Sequence, residues 1–94
     1  MKVRYERGAL ADLEAIFEYI VADNPRAAAR LVARIEDEAT RIGATPYIGQ
    51  ATRDPKFRRL PVGDYLIVYE VGSAEVVIHC VRHGGRRRPW EGQG

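Results

Sequence analysis

Residues 10–35 read LADLEAIFEYIVADNPRAAARLVARI, and the interruption in their middle decides the fold. Before it, Leu10, Leu13, Ile16, Phe17 and Ile20 recur at three- and four-residue steps while Asp12, Glu14 and Glu18 fall on other faces, which predicts an amphipathic helix over 9–22. Asp23-Asn24-Pro25 then supplies a good N-cap residue followed by proline at the first helical position, where a missing N–H costs nothing. A second helix therefore starts there. Its stripe is Ala28, Leu31, Val32, Ile35, Ala39 and Ile42, and Gly43 is expected to end it in the left-handed cap conformation. So short a connection folds the two helices, about 9–43, into an antiparallel hairpin.

On the N-terminal side, KVRYE alternates, with Val3 and Tyr5 against Lys2, Arg4 and Glu6, as in a half-buried strand. On the C-terminal side, 44–56 has no sustained period and contains Pro46, Gly49 and Pro55, so it reads as a loop with room for one helical turn. Three strands follow at 57–60, 65–71 and 75–83, and the breaks at Pro61-Val62-Gly63-Asp64 and Gly72-Ser73 suit tight hairpin turns. They form an antiparallel meander over 57–83. The expected architecture is α+β in the order β-α-α-β-β-β, with both helices on one face of a small sheet.

A chain of 94 residues holds one core, so 1–94 is read as a single domain. With 46% hydrophobic and 30% charged residues, and no apolar run long enough to cross a bilayer, membrane functions are not expected. MKVRYERG does not resemble a signal peptide, and a cytoplasmic location is expected. The single Cys80 excludes an internal disulfide. Residues 1–47 carry 7 Lys/Arg against 8 Asp/Glu and residues 48–94 carry 8 against 5, which places the basic surface in the C-terminal half.

Strand alternation sorts the sheet faces. Tyr65, Ile67, Tyr69 and Val71, with Val76, Ile78 and Cys80, are assigned to the helix side. Leu66, Val68, Glu70, Val77, His79, Val81 and His83 are assigned to the open face. Several aliphatic side chains on one open sheet face mark a surface that a partner covers. On this assignment Cys80 points away from both histidines, and His79 and His83 stand roughly 13 Å apart along the strand. No metal site and no cofactor are therefore expected.

Arg53, Lys56, Arg58 and Arg59 form one basic cluster, and Arg82 with the run Arg86, Arg87 and Arg88 forms a second. Guanidinium forks suit phosphates and carboxylates alike. His83 beside Arg82 supplies part of what RNA cleavage needs, a proton carrier near cations, although a histidine ending a strand more often has no special role. Trp90 is an anchor residue, since an indole rarely stays in a solvated tail.

The helical hairpin DLEAIFEYIVADNPRAAARLVARIEDEATRIG, the FRRLPVGDYLIVYEV hairpin and the closing VIHCVRHGGRRRPW together resemble the RelE/ParE superfamily of bacterial toxins, from Val3 to Trp90. The resemblance implies the toxin of a type II toxin–antitoxin system. Its partner would be a cognate antitoxin, ParD-like or RelB-like, whose partly disordered segment folds onto the toxin in a hetero-oligomer. Two activities are open within the superfamily: poisoning of DNA gyrase by ParE-type members, and ribosome-dependent cleavage of mRNA by RelE-type members. RelE-type nucleases usually carry an arginine directly after the tyrosine of the third strand and a tyrosine near the C-terminus. Here Leu66 follows Tyr65, and Trp90 is the aromatic near the end. The resemblance is therefore read as ParE-like, with Arg59, Arg82, His83, Arg86, Arg87, Arg88 and Trp90 as expected contacts for target or antitoxin. Arg82 and His83 become the catalytic pair if the protein is instead a nuclease.

Overall fold

The computed structural model describes residues 1–84. Arg86, Arg87, Arg88 and Trp90 lie outside the described residues. The elements are β1 (Lys2–Tyr5), α1 (Arg7–Val21), α2 (Pro25–Ala44), a short 3-10 turn (Pro46–Ile48), β2 (Gln50–Ala51), β3 (Arg58–Val62), β4 (Tyr65–Val71) and β5 (Glu75–His83). The strands form one sheet in the order β1-β5-β4-β3-β2, with β1 parallel to β5 and the other pairs antiparallel. The expected α+β order and meander are present. The 44–56 segment also holds the two-residue strand β2, paired with Arg58 and Arg59.

The hairpin junction forms as its residues dictate. Asn24 has an extended backbone and its Oδ1 accepts the Ala27 N–H at 3.0 Å, with Pro25 opening α2. The far end of α2 differs from expectation: Gly43 is helical and buried, and the helix runs on to Ala44. Its glycine answers a packing need, because a β-carbon there would lie 2.8 Å from the Met1 carbonyl oxygen and 2.7 Å from a Val3 methyl. This lets α2 close onto β1, and the Met1 ammonium donates to the Gly43 carbonyl at 2.7 Å. Among the described residues the left-handed glycine is Gly63, at φ 61° in the turn between β3 and β4. Pro61 sits within β3 beyond the two residues that β2 pairs, where a missing N–H breaks no ladder bond.

Tyr69, Ile35, Ile42, Ile67, Ile78, Val62 and Val76 are the large fully buried side chains, packed between the helices and one sheet face. Each such aliphatic side chain contributes about 1.5–3 kcal/mol through removal from water. Burial, and secondarily the Glu36 carboxylate, raises the Tyr5 phenol above its ordinary value.

Within β5 the strict alternation fails. Val68 pairs with Cys80, but the next residue, Tyr69, pairs with Ile78, so His79 is an extra residue in a β-bulge. After the bulge every side chain changes face. Val81 pairs with Ile67 and is buried in the core, and His83 pairs with Tyr65 on the helix side. Cys80 joins Val68 on the open face. The sequence assignment of Cys80 to the core and of Val81 and His83 to the open face is thus reversed.

Where β1 ends, the edge of β5 passes to α1. The Glu6 N–H still reaches the Ile78 carbonyl at 2.9 Å, and further along Asp12 Oδ2 accepts the Val81 N–H at 2.9 Å. A helix side chain therefore completes a strand ladder. Asp12→Ala is expected to cost about 1–3 kcal/mol by leaving that half-buried donor unpaired, while Asp12→Asn, which keeps an acceptor, costs clearly less. Urea unfolding of the two variants measures the difference.

Candidate partner-binding face

The register places the open face residue by residue. Leu66 stands opposite Arg82 on β5 and Pro61 on β3, and Val68 opposite Cys80 and Arg59. Glu70 stands opposite Val77, which lies beside Arg4 of β1. The centre is thus a half-buried aliphatic strip of Leu66 and Val68, continued by the buried Val77, and the exposed Arg59 and Arg82 flank Val68 and Leu66 on either side.

At one end of the strip His79 is held between two carboxylates. Its Nδ1 is 2.9 Å from Glu6 Oε1 and its Nε2 3.0 Å from Glu70 Oε1, and its ring meets Phe57 edge-on at 4.9 Å. Arg4 joins the same network through Glu75 at 3.0 Å and Glu6 at 3.8 Å. His79, placed on the open face by the sequence, meets the open-face Glu70 and ties the β1–α1 corner to β4.

At the other end, Asp64, Tyr65, His83 and Gly84 line an open cavity of about 600 Å³ together with Pro61, Gly63 and Leu66. The His83 ring packs edge-on to Tyr65 at 5.4 Å between centroids. Of the sequence-predicted residues that are described, Arg59 and Arg82 share the open face, and His83 is turned to the other side of the sheet from Arg82. Within the first basic cluster, Arg58 is on the helix side and donates to the Gly49 carbonyl at 2.6 Å. Among the described residues no three His, Cys, Asp or Glu side chains are placed to hold one metal ion, and no helix is long and apolar enough to cross a membrane.

Three side chains escaped the sequence reading. Asp12 looked like a solvated helix position, Tyr69 like plain core, and Tyr47 like an ordinary loop residue. The proline and glycine around Tyr47 were the one available signal that its loop is built.

Known proteins share this fold. Residues 3–88 match the family described as ParE toxin of type II toxin-antitoxin system, parDE. The chain is 36% identical over 90 residues to the putative toxin Y4kP of Sinorhizobium fredii, covering 94% of this chain and 93% of that protein. It is 35% identical over 78 residues to toxin RelE2 of Caulobacter vibrioides, covering 83% and 89% respectively. In three dimensions it is similar to a chain of the chromosomal ParDE system from P. aeruginosa, with TM-score 0.81 at 23% identity, covering 90% of this chain and 97% of that one. The isolated E. coli RelE toxin matches with TM-score 0.64 at 12% identity over 96% and 90% of the two chains, a likeness of fold. With the family pattern running through nearly every element described above, the chain belongs to the ParE toxin family of type II toxin–antitoxin systems.

Proposed function

We propose that this toxin inhibits DNA gyrase by binding it, without chemistry of its own, and that a cognate antitoxin neutralises it by covering the open sheet face in a cytoplasmic hetero-oligomer. The observation that carries the reading is the placement of Arg82. An aliphatic side chain, Leu66, stands opposite it, and the neighbouring histidine, His83, is turned to the other face of the sheet. General acid–base cleavage needs its proton carrier within hydrogen-bond reach of the scissile group that the cation holds. That requirement disfavours the Arg82–His83 pair of the nuclease alternative.

The aliphatic strip between Arg59 and Arg82 suits an amphipathic segment that buries apolar side chains in the centre and sets carboxylates against the two guanidinium groups. Such a segment folds as it binds. The solved ParDE system of P. aeruginosa, a toxin–antitoxin pair by its name, supports a partner of this kind. Production of the toxin without its antitoxin is expected to switch on DNA-damage signalling while translation continues. An immediate stop in translation, with no DNA-damage response, favours the nuclease instead.

A further inference from the structure

Where β3 begins and β4 ends, Tyr47 stands 66% exposed on the 3-10 turn. The turn beneath it is fixed from two sides. The buried Tyr69 hydroxyl donates to the Pro46 carbonyl at 2.7 Å and accepts the Gly49 N–H at 2.9 Å. Arg58 donates to the Gly49 carbonyl at 2.6 Å, and its guanidinium carbon lies 4.8 Å from the centroid of the Tyr47 ring. An exposed aromatic on so constrained a backbone loses little freedom on contact, which is what makes tyrosine effective at the centre of protein interfaces.

Tyr47, Pro55, Lys56, Arg58, Glu70 and Val71 line a shallow cavity of about 200 Å³. The carboxylates nearby are already engaged: Asp54 Oδ1 accepts the Lys56 backbone N–H at 3.0 Å, and Glu70 Oε1 faces His79 Nε2 at 3.0 Å. Both keep their charge, but Arg53, Lys56, Arg58 and Arg59 outnumber Asp54 and Glu70 in this part of the chain, so its balance is positive. The cations of the patch are too few, and Arg58 too committed to backbone carbonyls, to track a nucleic-acid backbone. An acidic protein segment matches both the charge and the aromatic.

We propose that the Tyr47–Lys56–Arg58 patch is the surface through which the toxin grips an acidic segment of its target protein. This rests on the reading that the toxin acts by binding a protein. Glu70 belongs both to the open face and to the rim of this cavity. An antitoxin seated on the open face thus reaches the edge of the patch, and neutralisation follows from overlap.

The test compares the full-length wild type with Tyr47→Ala and Lys56→Glu, after thermal melts establish that all three fold. The probe is gyrase supercoiling, with affinity for the antitoxin and growth arrest on induction measured alongside. Each variant is expected to need at least about tenfold more protein for half inhibition. Antitoxin affinity is expected to change by less than about threefold, as for a residue outside that interface. If wild type inhibits and Tyr47→Ala inhibits equally well, this inference fails and the proposed function stands. If wild type leaves gyrase untouched, the proposed function fails, and growth arrest decides the patch: arrest retained by Tyr47→Ala overturns it, and arrest lost supports it with another target. A loss confined to antitoxin binding, or to binding of a single-stranded RNA oligonucleotide, assigns the patch to a different occupant and overturns the proposal.

Discussion

Replacing Tyr69 with phenylalanine is expected to lower the free energy of unfolding by about 2–3 kcal/mol, although the ring that fills the core is unchanged. The hydroxyl holds two backbone groups of the turn, and the Gly49 N–H it receives is buried. Each bond contributes about 1 kcal/mol net, and a buried donor left unpaired adds its own desolvation cost. For a domain of this size the melting temperature should fall by on the order of 10 °C. Burial raises the phenol above its ordinary value of 10.0, against the opposing pull of the Gly49 N–H and the Arg58 charge. Because the folded state holds that proton more tightly than the unfolded chain, the advantage of wild type over Tyr69→Phe is complete below about pH 10 and shrinks as the pH rises above it. Denaturant melts at neutral and alkaline pH measure both effects. A variant as stable as wild type would mean that the turn is not held from the core, and the rigid display of Tyr47 would lose its basis.

Reversing both flanking charges, in Arg59→Glu with Arg82→Glu, is expected to weaken antitoxin binding by about 100-fold, which is about 2.7 kcal/mol. Both side chains are exposed and stand on opposite sides of the aliphatic strip, so folding should be nearly unaffected. The loss should appear mainly in the dissociation rate for groups buried under the antitoxin, and raised salt should narrow the gap between wild type and variant. Titration of antitoxin into each toxin by calorimetry at two salt concentrations measures it. An affinity unchanged by the double reversal would place the antitoxin elsewhere on the molecule.

The elements were legible because their signals are local. The helical stripes, the Asn24-Pro25 start and the Gly63 turn each state their role within a few residues. What escaped depends on contacts far apart in sequence. Gly43 reads as a helix stop, yet its missing β-carbon answers to Met1 and Val3 at the other end of the chain. Nothing in VVIHCVRH marks His79 as a bulge, and that one extra residue moves Cys80, Val81 and His83 to the opposite faces. The consequence reaches the candidate site, because the shift puts Arg82 on the open face and takes His83 off it. The register sets Arg59 and Arg82 on one face, aligned through Val68 and Leu66, and that could not be read from the strand patterns alone.

The most direct measurement is a supercoiling assay with purified gyrase and relaxed plasmid, run beside a translation reaction programmed with a defined mRNA. The proposed function requires that the toxin block supercoiling, that cleaved DNA accumulate, that equimolar antitoxin reverse the block, and that the mRNA stay intact. Normal supercoiling together with codon-phased cuts in the translated mRNA would contradict it and establish a ribosome-dependent nuclease.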